Sequence, residues 1–217
     1  MGIMERRERE KEQRRNDIID AAEKVFFHEG LDEATMDDVA ETAELSKGTL
    51  YLYFESKEDL YLAITKRGLD ILADIFQEAV GSNKRGIDKI KAIGRTYSVF
   101  AKKYPDYFQA IIYHESRTKD SNEECANALA CEQQGEKVLR ICVDALRVGL
   151  EDGSIRSDID PMKAAIVLWG QTTGILLLIS RKGEHLKELL VQFNFKSLDE
   201  IIDESFKLIG YALESKK

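Results

Sequence analysis

Proline, cysteine and tryptophan are scarce: 2, 3 and 1 in 217 residues. Proline breaks helix interiors because it removes a hydrogen bond and clashes with the preceding turn. A chain whose only prolines are Pro105 and Pro161 therefore has room for long helices. Three unclustered thiols exclude a disulfide scaffold and read as reduced cysteines. No cleavable apolar segment opens the chain, so a cytoplasmic protein is expected rather than a secreted one. An excess of positive charge is also missing. With 32 Lys and Arg against 40 Asp and Glu, the net charge of −8 excludes a generally polycationic nucleic-acid binder. Any contact with DNA must rest on local patterning. His28, His114 and His185 stand apart, with no HExxH or CxxC spacing and no glycine-rich phosphate loop. No metal, no cofactor and no enzymatic activity are expected.

What is present is apolar periodicity within a chain that is 43% hydrophobic, enough for a real core. Ile18, Ala22, Val25 and Phe26 follow the stripe of an amphipathic helix, with Gly30 where such a helix ends. Leu198, Ile201, Ile202, Ser205, Ile209 and Ala212 repeat the spacing, and Ser197 with Glu200 reads as a capping box. No alternating run between hairpin turns occurs. The expected fold is all-α, about nine helices in total: an N-terminal three-helix unit over 1–58 and a helical ligand-binding and dimerisation body over 59–217. A long helix from Ser56 to about Val80 would run roughly 37 Å and join the two. The first 15 residues mix Arg and Glu. They read either as a solvated helical arm, with Glu5–Arg9 and Glu10–Arg14 pairs, or as an arm whose Arg6, Arg7, Arg9, Arg14 or Arg15 reaches DNA.

The informative stretch runs from Thr35 to Leu60, TMDDVAETAELSKGTLYLYFESKEDL. Thr35 is an N-cap for a two-turn helix with Asp37 and Asp38 in its first turn. A turn at Glu44–Leu45 leads to a second cap, Ser46, and to Lys47-Gly48-Thr49-Leu50-Tyr51. Two short helices around a tight turn make a helix-turn-helix, whose second helix enters the major groove. Lys47 suits guanine or phosphate, Gly48 permits close backbone approach, and Thr49 offers a hydroxyl and a methyl group. Tyr53 and Lys57 suit phosphates at the flank, while Leu50 and Phe54 point to the core. Residues 1–66 nevertheless carry 10 Lys and Arg against 17 Asp and Glu. The acids, Asp17, Asp20, Glu23, Asp37, Asp38, Glu41 and Glu44, are expected mostly on faces turned from the groove, with weak non-specific affinity as the consequence.

The run Ser46-Lys47-Gly48-Thr49-Leu50-Tyr51-Leu52-Tyr53-Phe54-Glu55-Ser56-Lys57-Glu58-Asp59-Leu60 resembles the DNA-binding signature of TetR-type (tetracycline-repressor-like) transcriptional regulators. Phe26-Phe27-His28-Glu29-Gly30-Leu31, Ala34-Thr35-Met36 and Val39-Ala40 fit as well, so the resemblance covers about residues 12 to 66. It implies a homodimeric repressor that binds a double-stranded DNA operator and whose larger C-terminal domain takes a small inducer. It also implies Thr35, Ser46, Lys47, Gly48, Thr49, Tyr51, Tyr53 and Lys57 as DNA-contacting positions.

Beyond Ile87 the aromatics are plentiful, and the effector pocket candidates are Tyr97, Phe100, Phe108, Ile112, Tyr113, Leu139, Cys142 and Trp169, with Glu115 or His114 as a polar group. They suit a lipophilic or aromatic effector. Ala164–Ser180 is uncharged but interrupted by Gly170-Gln171-Thr172-Thr173-Gly174, which reads as a buried helix rather than a membrane span. Asp160 and Pro161 would start it, and Gly170 with Gly174 leaves a strip for a close helix neighbour. The resemblance implies dimerisation through the last two long helices, about 161–181 and 198–214, setting two recognition helices about 34–36 Å apart on a near-palindromic operator. A helical enzyme with an appended helix-turn-helix is disfavoured by the lack of a catalytic cluster. A protein-interaction module is the other alternative.

Overall fold

The computed structural model describes residues 2–116, 125–192 and 197–215. Among these, nine helices form and no strand: α1 (Ile3–Glu29), α2 (Met36–Thr42), α3 (Lys47–Tyr51), α4 (Lys57–Gly81), α5 (Gly86–Lys103), α6 (Pro105–Ser116), α7 (Ala126–Glu151), α8 (Pro161–Gln192) and α9 (Asp199–Leu213). An isolated bridge pairs Ile155 with Glu214. The described residues fall into two compact units, one from 1–70 and 106–134, the other from 71–105 and 135–217.

The division thus lies inside α4 and not at residue 58, because the first half of α4 is core to the first unit. Ile18, Ala22, Val25 and Phe26 of α1 pack with Val39 and Ala40 of α2, Leu50 of α3, Phe54, and Leu60 and Ile64 of α4. Each large side chain buried there contributes about 1.5–3 kcal/mol. Gly30, at φ 85°, ends α1 in a conformation that a Cβ would disfavour. The arm continues α1 as helix, but its ion pair is Arg6–Glu10 at 2.7 Å. Arg9 Nε instead donates to the Glu5 carbonyl. Arg15 does not project outward. Its guanidinium covers the Phe54 ring at 5.1 Å and donates to Asn127 Oδ1 at 2.8 Å. Asn127 in turn donates to Asp59 Oδ1 at 2.7 Å. Arg67 bridges Asp20 (2.7 Å) and Glu23 (2.9 Å), and the Tyr107 hydroxyl donates to Glu23 at 2.6 Å. Asp20 and Glu23 are therefore spent inside the unit.

In the second unit α5 and α7 meet at Gly86 and Gly149. The Gly86 and Ile87 amides donate to Asp152 Oδ2 (2.8 Å) and Ser154 Oγ (3.1 Å), so the loop after α7 caps α5. Asp160 caps α8 through the Lys163 amide at 2.9 Å, with Pro161 in the first position. Helix α9 starts at Asp199, one residue beyond the start that a capping box at Ser197 and Glu200 predicts. The residue entering α9, Leu198, has helical φ/ψ and no side-chain cap bond, whereas such a cap needs extended backbone. Helix α8 kinks at Lys182. The expectation of a buried helix at Ala164–Ser180 is overturned as well. Pro161–Glu188 is long and apolar enough by composition to cross a membrane, yet only 11% of its most apolar window is buried. Ile166 and Val167 are 57% and 63% exposed, and an added Cβ at Gly170 or Gly174 meets nothing within 4 Å.

Candidate functional site

Two side-chain caps shape the helix-turn-helix, the first of them reciprocal. Thr35, extended at φ −120°, accepts from the Asp38 amide at 3.3 Å while Asp38 Oδ2 accepts from the Thr35 amide at 2.9 Å. The Thr35 hydrogen bonds hold the Asp38 carboxyl below the usual carboxylate range. Helix α2 then ends, and Glu44 turns the chain through the left-handed region at φ 55°. A β-carbon there is strained, but the turn brings the Leu45 amide onto the Ala40 carbonyl at 2.9 Å. Ser46 opens α3, accepting from the Thr49 amide at 3.1 Å and sharing a 2.8 Å hydroxyl contact with Thr49. Leu50 and Phe54, both fully buried, anchor α3 from below.

The opposite side of α3 is open. Thr35, Ser46, Lys47, Gly48 and Tyr51 are exposed, and Thr49 is half-buried. Leu52, which sequence reasoning passed over because an apolar residue reads as core, is 80% exposed beside Tyr51. Lys47 Nζ sits 2.7 Å from Asp37 Oδ1, and this partner raises its pKa. Asp37 is thus not turned from the recognition helix, contrary to expectation. An exposed pair of this kind is worth little. Two other expected contacts are occupied within the unit. Lys57 Nζ donates to the carbonyls of Asp32 (3.1 Å) and Ala34 (3.0 Å), and Tyr53 packs against the core. Gly48 is different. A Cβ there meets only Ser46 Oγ at 3.9 Å, and its backbone is ordinary helix. Nothing inside the protein requires this glycine, although glycine in a helix costs about 1 kcal/mol relative to alanine.

The second unit holds a cavity of about 60 Å³ lined by Leu72 and Phe76 of α4, Ile90, Lys91, Ile93, Gly94 and Tyr97 of α5, Val138, Leu139 and Cys142 of α7, Ala165, Leu168, Trp169 and Thr172 of α8, and Phe206 and Ile209 of α9. Of the eight pocket candidates, Tyr97, Leu139, Cys142 and Trp169 lie on this wall. Phe100 is fully buried against Tyr104 with ring centroids 5.6 Å apart. Phe108, Ile112 and Tyr113 belong to the first unit, where Tyr113 meets the edge of Tyr61 at 5.6 Å. Sequence reasoning missed Leu72, Phe76, Phe206 and Ile209, whose apolar stripes are equally consistent with plain packing. The Tyr97 hydroxyl is 3.1 Å from Thr173 Oγ1. Burial pushes the Cys142 thiol up to about 12, so it is neutral and does not act as a thiolate. Cys131, also raised to about 12, donates to the Leu62 carbonyl at 3.1 Å. Among the described residues no group of three His, Cys, Asp or Glu side chains is placed to hold a metal ion.

A capped helix-turn-helix with an open second helix, in a chain that also carries an apolar helical cavity, defines a DNA-binding regulator of the one-component type. Comparison with known proteins gives the family. Residues 18–64 match the family model of bacterial regulatory proteins, tetR family, and residues 90–203 match that of the tetracyclin repressor-like C-terminal domain. The chain belongs to the TetR family of transcriptional regulators. It is 25% identical over 147 residues to the HTH-type transcriptional repressor KstR2 of Mycobacterium tuberculosis, covering 68% of this chain and 72% of that protein. The solved structure of KstR2, described as a ketosteroid transcriptional regulator, superposes with a TM-score of 0.64 at 20% identity over 94% of this chain and 96% of that one. FadR from Bacillus subtilis in complex with stearoyl-CoA superposes with a TM-score of 0.67 at 17% identity, covering 90% and 97%.

Proposed function

We propose that the protein is a cytoplasmic homodimeric repressor that leaves a near-palindromic operator when a small lipophilic effector enters the cavity of the second unit. The cavity carries this reading: among the described residues Lys91 is the one charged residue on a wall otherwise made of apolar, aromatic and weakly polar side chains. At about 60 Å³ it is well below the roughly 150 Å³ that admits benzene. An effector must therefore part the helices that line it, and so it binds one state of the protein better than the other. That differential affinity is what shifts an equilibrium. Helix α4 supplies Leu72 and Phe76 to the cavity and Leu60 and Ile64 to the core beneath α3, a continuous element on which such a shift can act. KstR2 as a ketosteroid regulator and FadR with stearoyl-CoA support a lipophilic effector. The exposed apolar face of α8, with its glycine strip, supports dimerisation there together with α9, whose Leu208 and Tyr211 are 56% and 73% exposed. Genomic fragments retained by the protein supply the operator for a fluorescence-anisotropy titration. Release of that fragment by lipids co-purifying with the protein is the expected result. A retained fragment that no co-purified lipid releases overturns the effector reading, and failure to retain any fragment overturns the repressor reading.

On the DNA side Lys47, Gly48, Thr49 and Tyr51 form the contacting tip, with Thr35 and Ser46 at its edges. Gly48→Ala separates fold from function. The variant is expected to unfold no lower than the wild type, with a gain of up to about 1 kcal/mol, while its operator affinity falls about tenfold or more because the Cβ keeps the backbone from the DNA. Thermal denaturation and anisotropy measured on one preparation check both. Unchanged operator affinity removes Gly48 from the contact set.

A further inference from the structure

The cavity's lone charged residue points to the chemistry of its ligand. Lys91 leaves α5 with its stem laid across α9 at Gly210, where an added Cβ would sit 3.6 Å from Lys91 Cε. Its ammonium is ion-paired with the Glu214 carboxylate at the end of α9. Both partners are partly exposed, with side-chain accessibilities of 33% for Lys91 and 45% for Glu214. A carboxylate from the protein's own chain is thus already paired with a residue whose side chain lines an apolar hole. Among the described residues no acidic side chain lines the cavity. The other polar side chains there, Tyr97, Thr172 and Cys142, bear no charge, so among the described lining residues Lys91 alone meets a ligand with a full charge.

We infer that the effector is a lipophilic carboxylic acid, bound as its carboxylate, whose tail fills the space beside Trp169 and whose head group takes Lys91 from Glu214. The exchange breaks one ion pair and makes one. Glu214 returns to water, in which it is already partly immersed, so the pair that is lost is a partly exposed one and worth little. The new charge-assisted hydrogen bond lies against an apolar wall, where it is stronger, and burial of the tail adds to it. A neutral lipophile of the same length leaves the Lys91–Glu214 pair intact and gains nothing from it. This inference rests on the reading of the cavity as the effector site and adds the head group to it.

The molecule carries its own probe, since Trp169 is its only tryptophan and lines the cavity. Emission from Trp169 is titrated with decanoic acid and with decan-1-ol at neutral pH in the wild type, Lys91→Met and Glu214→Gln. In the wild type the acid is expected to bind about tenfold or more tightly than the alcohol, the worth of a hydrogen-bonded charge. Lys91→Met erases that preference, so that acid and alcohol bind with equal affinity. Glu214→Gln removes the competing carboxylate and strengthens acid binding several-fold. Equal affinities for acid and alcohol in the wild type, or a preference that survives Lys91→Met, overturn the carboxylate assignment while leaving the cavity as the effector site. No change in Trp169 emission with either ligand overturns the cavity reading, and the carboxylate assignment with it.

Discussion

Replacing Val167 with glutamate is expected to turn the proposed dimer into a monomer and to lower operator affinity by about two orders of magnitude or more. Val167 is 63% exposed in the single chain and its neighbour Ile166 57%, so the substitution disturbs no internal contact and the variant is expected to keep its fold. In a twofold interface built on α8 the two glutamates would be buried against the partner's apolar face. Removing a charge from water without a partner costs several kcal/mol. The glycine strip strengthens the case. Gly170 and Gly174 lie within α8, where helical glycine costs about 1 kcal/mol each, and nothing within 4 Å of their would-be Cβ atoms explains them. A helix from a second copy packed on that strip would explain them. The loss in DNA binding follows from multivalency: two half-sites held in one molecule gain about 10²–10⁴ over one. Sedimentation velocity reads the mass, circular dichroism the helix content, and anisotropy the affinity. A Val167→Glu protein that sediments as a dimer with full affinity removes α8 from the interface.

How much of this was legible in the sequence depends on the range of the interactions involved. The helix-turn-helix was legible because its determinants are local: Thr35 reaches Asp38, Ser46 reaches Thr49, and Leu50 with Phe54 records the buried face by spacing alone. The α1 stripe of Ile18, Ala22, Val25 and Phe26 was legible for the same reason. Interactions between distant residues were not. Arg15 reads as a free arm residue, and only the fold brings it to Phe54 and, across 112 positions, to Asn127. Lys57 reads as a phosphate ligand, yet it closes the loop at Asp32 and Ala34. The aromatic run of α6 looks like pocket lining, although Phe108, Ile112 and Tyr113 pack in the first unit. The α8 run shows a different limit. An uncharged helix has the same composition whether its own chain or another surface covers it, so periodicity alone does not tell buried from awaiting a partner. At α9 the helix starts one residue beyond the place that Ser197 marks, a shift that capping residues alone do not fix.

The second large effect is on stability, at the crossing of α5 and α7. A Cβ built on Gly86 falls 2.0 Å from the Gly149 nitrogen, 2.2 Å from its Cα and 2.8 Å from the Ala145 carbonyl oxygen. All three are backbone atoms, so no rotamer change relieves the overlap and the helices must separate. Separation also strains the bonds from the Gly86 and Ile87 amides to Asp152 and Ser154. It loosens the packing around Ile87, Leu146 and Ile155, each no more than 2% exposed. Overpacking costs about 1–3 kcal/mol and each weakened hydrogen bond about 1. Gly86→Ala is therefore expected to lose about 3–5 kcal/mol and to lower the melting midpoint by about 10 °C or more. Gly149→Ala meets the Ile155 side chain, with Cδ1 at 2.4 Å and Cγ1 at 2.6 Å, atoms that a rotamer change moves, so its loss is smaller. Gly135→Ala, on the same α7 with nothing within 4 Å, is expected to stabilise by up to about 1 kcal/mol. Acid acts on the same capping site. Hydrogen bonds from Ser154 and the Gly86 amide hold the Asp152 carboxyl below its ordinary range, so its contribution is present at neutral pH and is lost as the pH falls through the lowered value. Calorimetry of the three alanine variants tests the ranking. A Gly86→Ala protein that melts with or above Gly135→Ala contradicts backbone contact between α5 and α7 at this point.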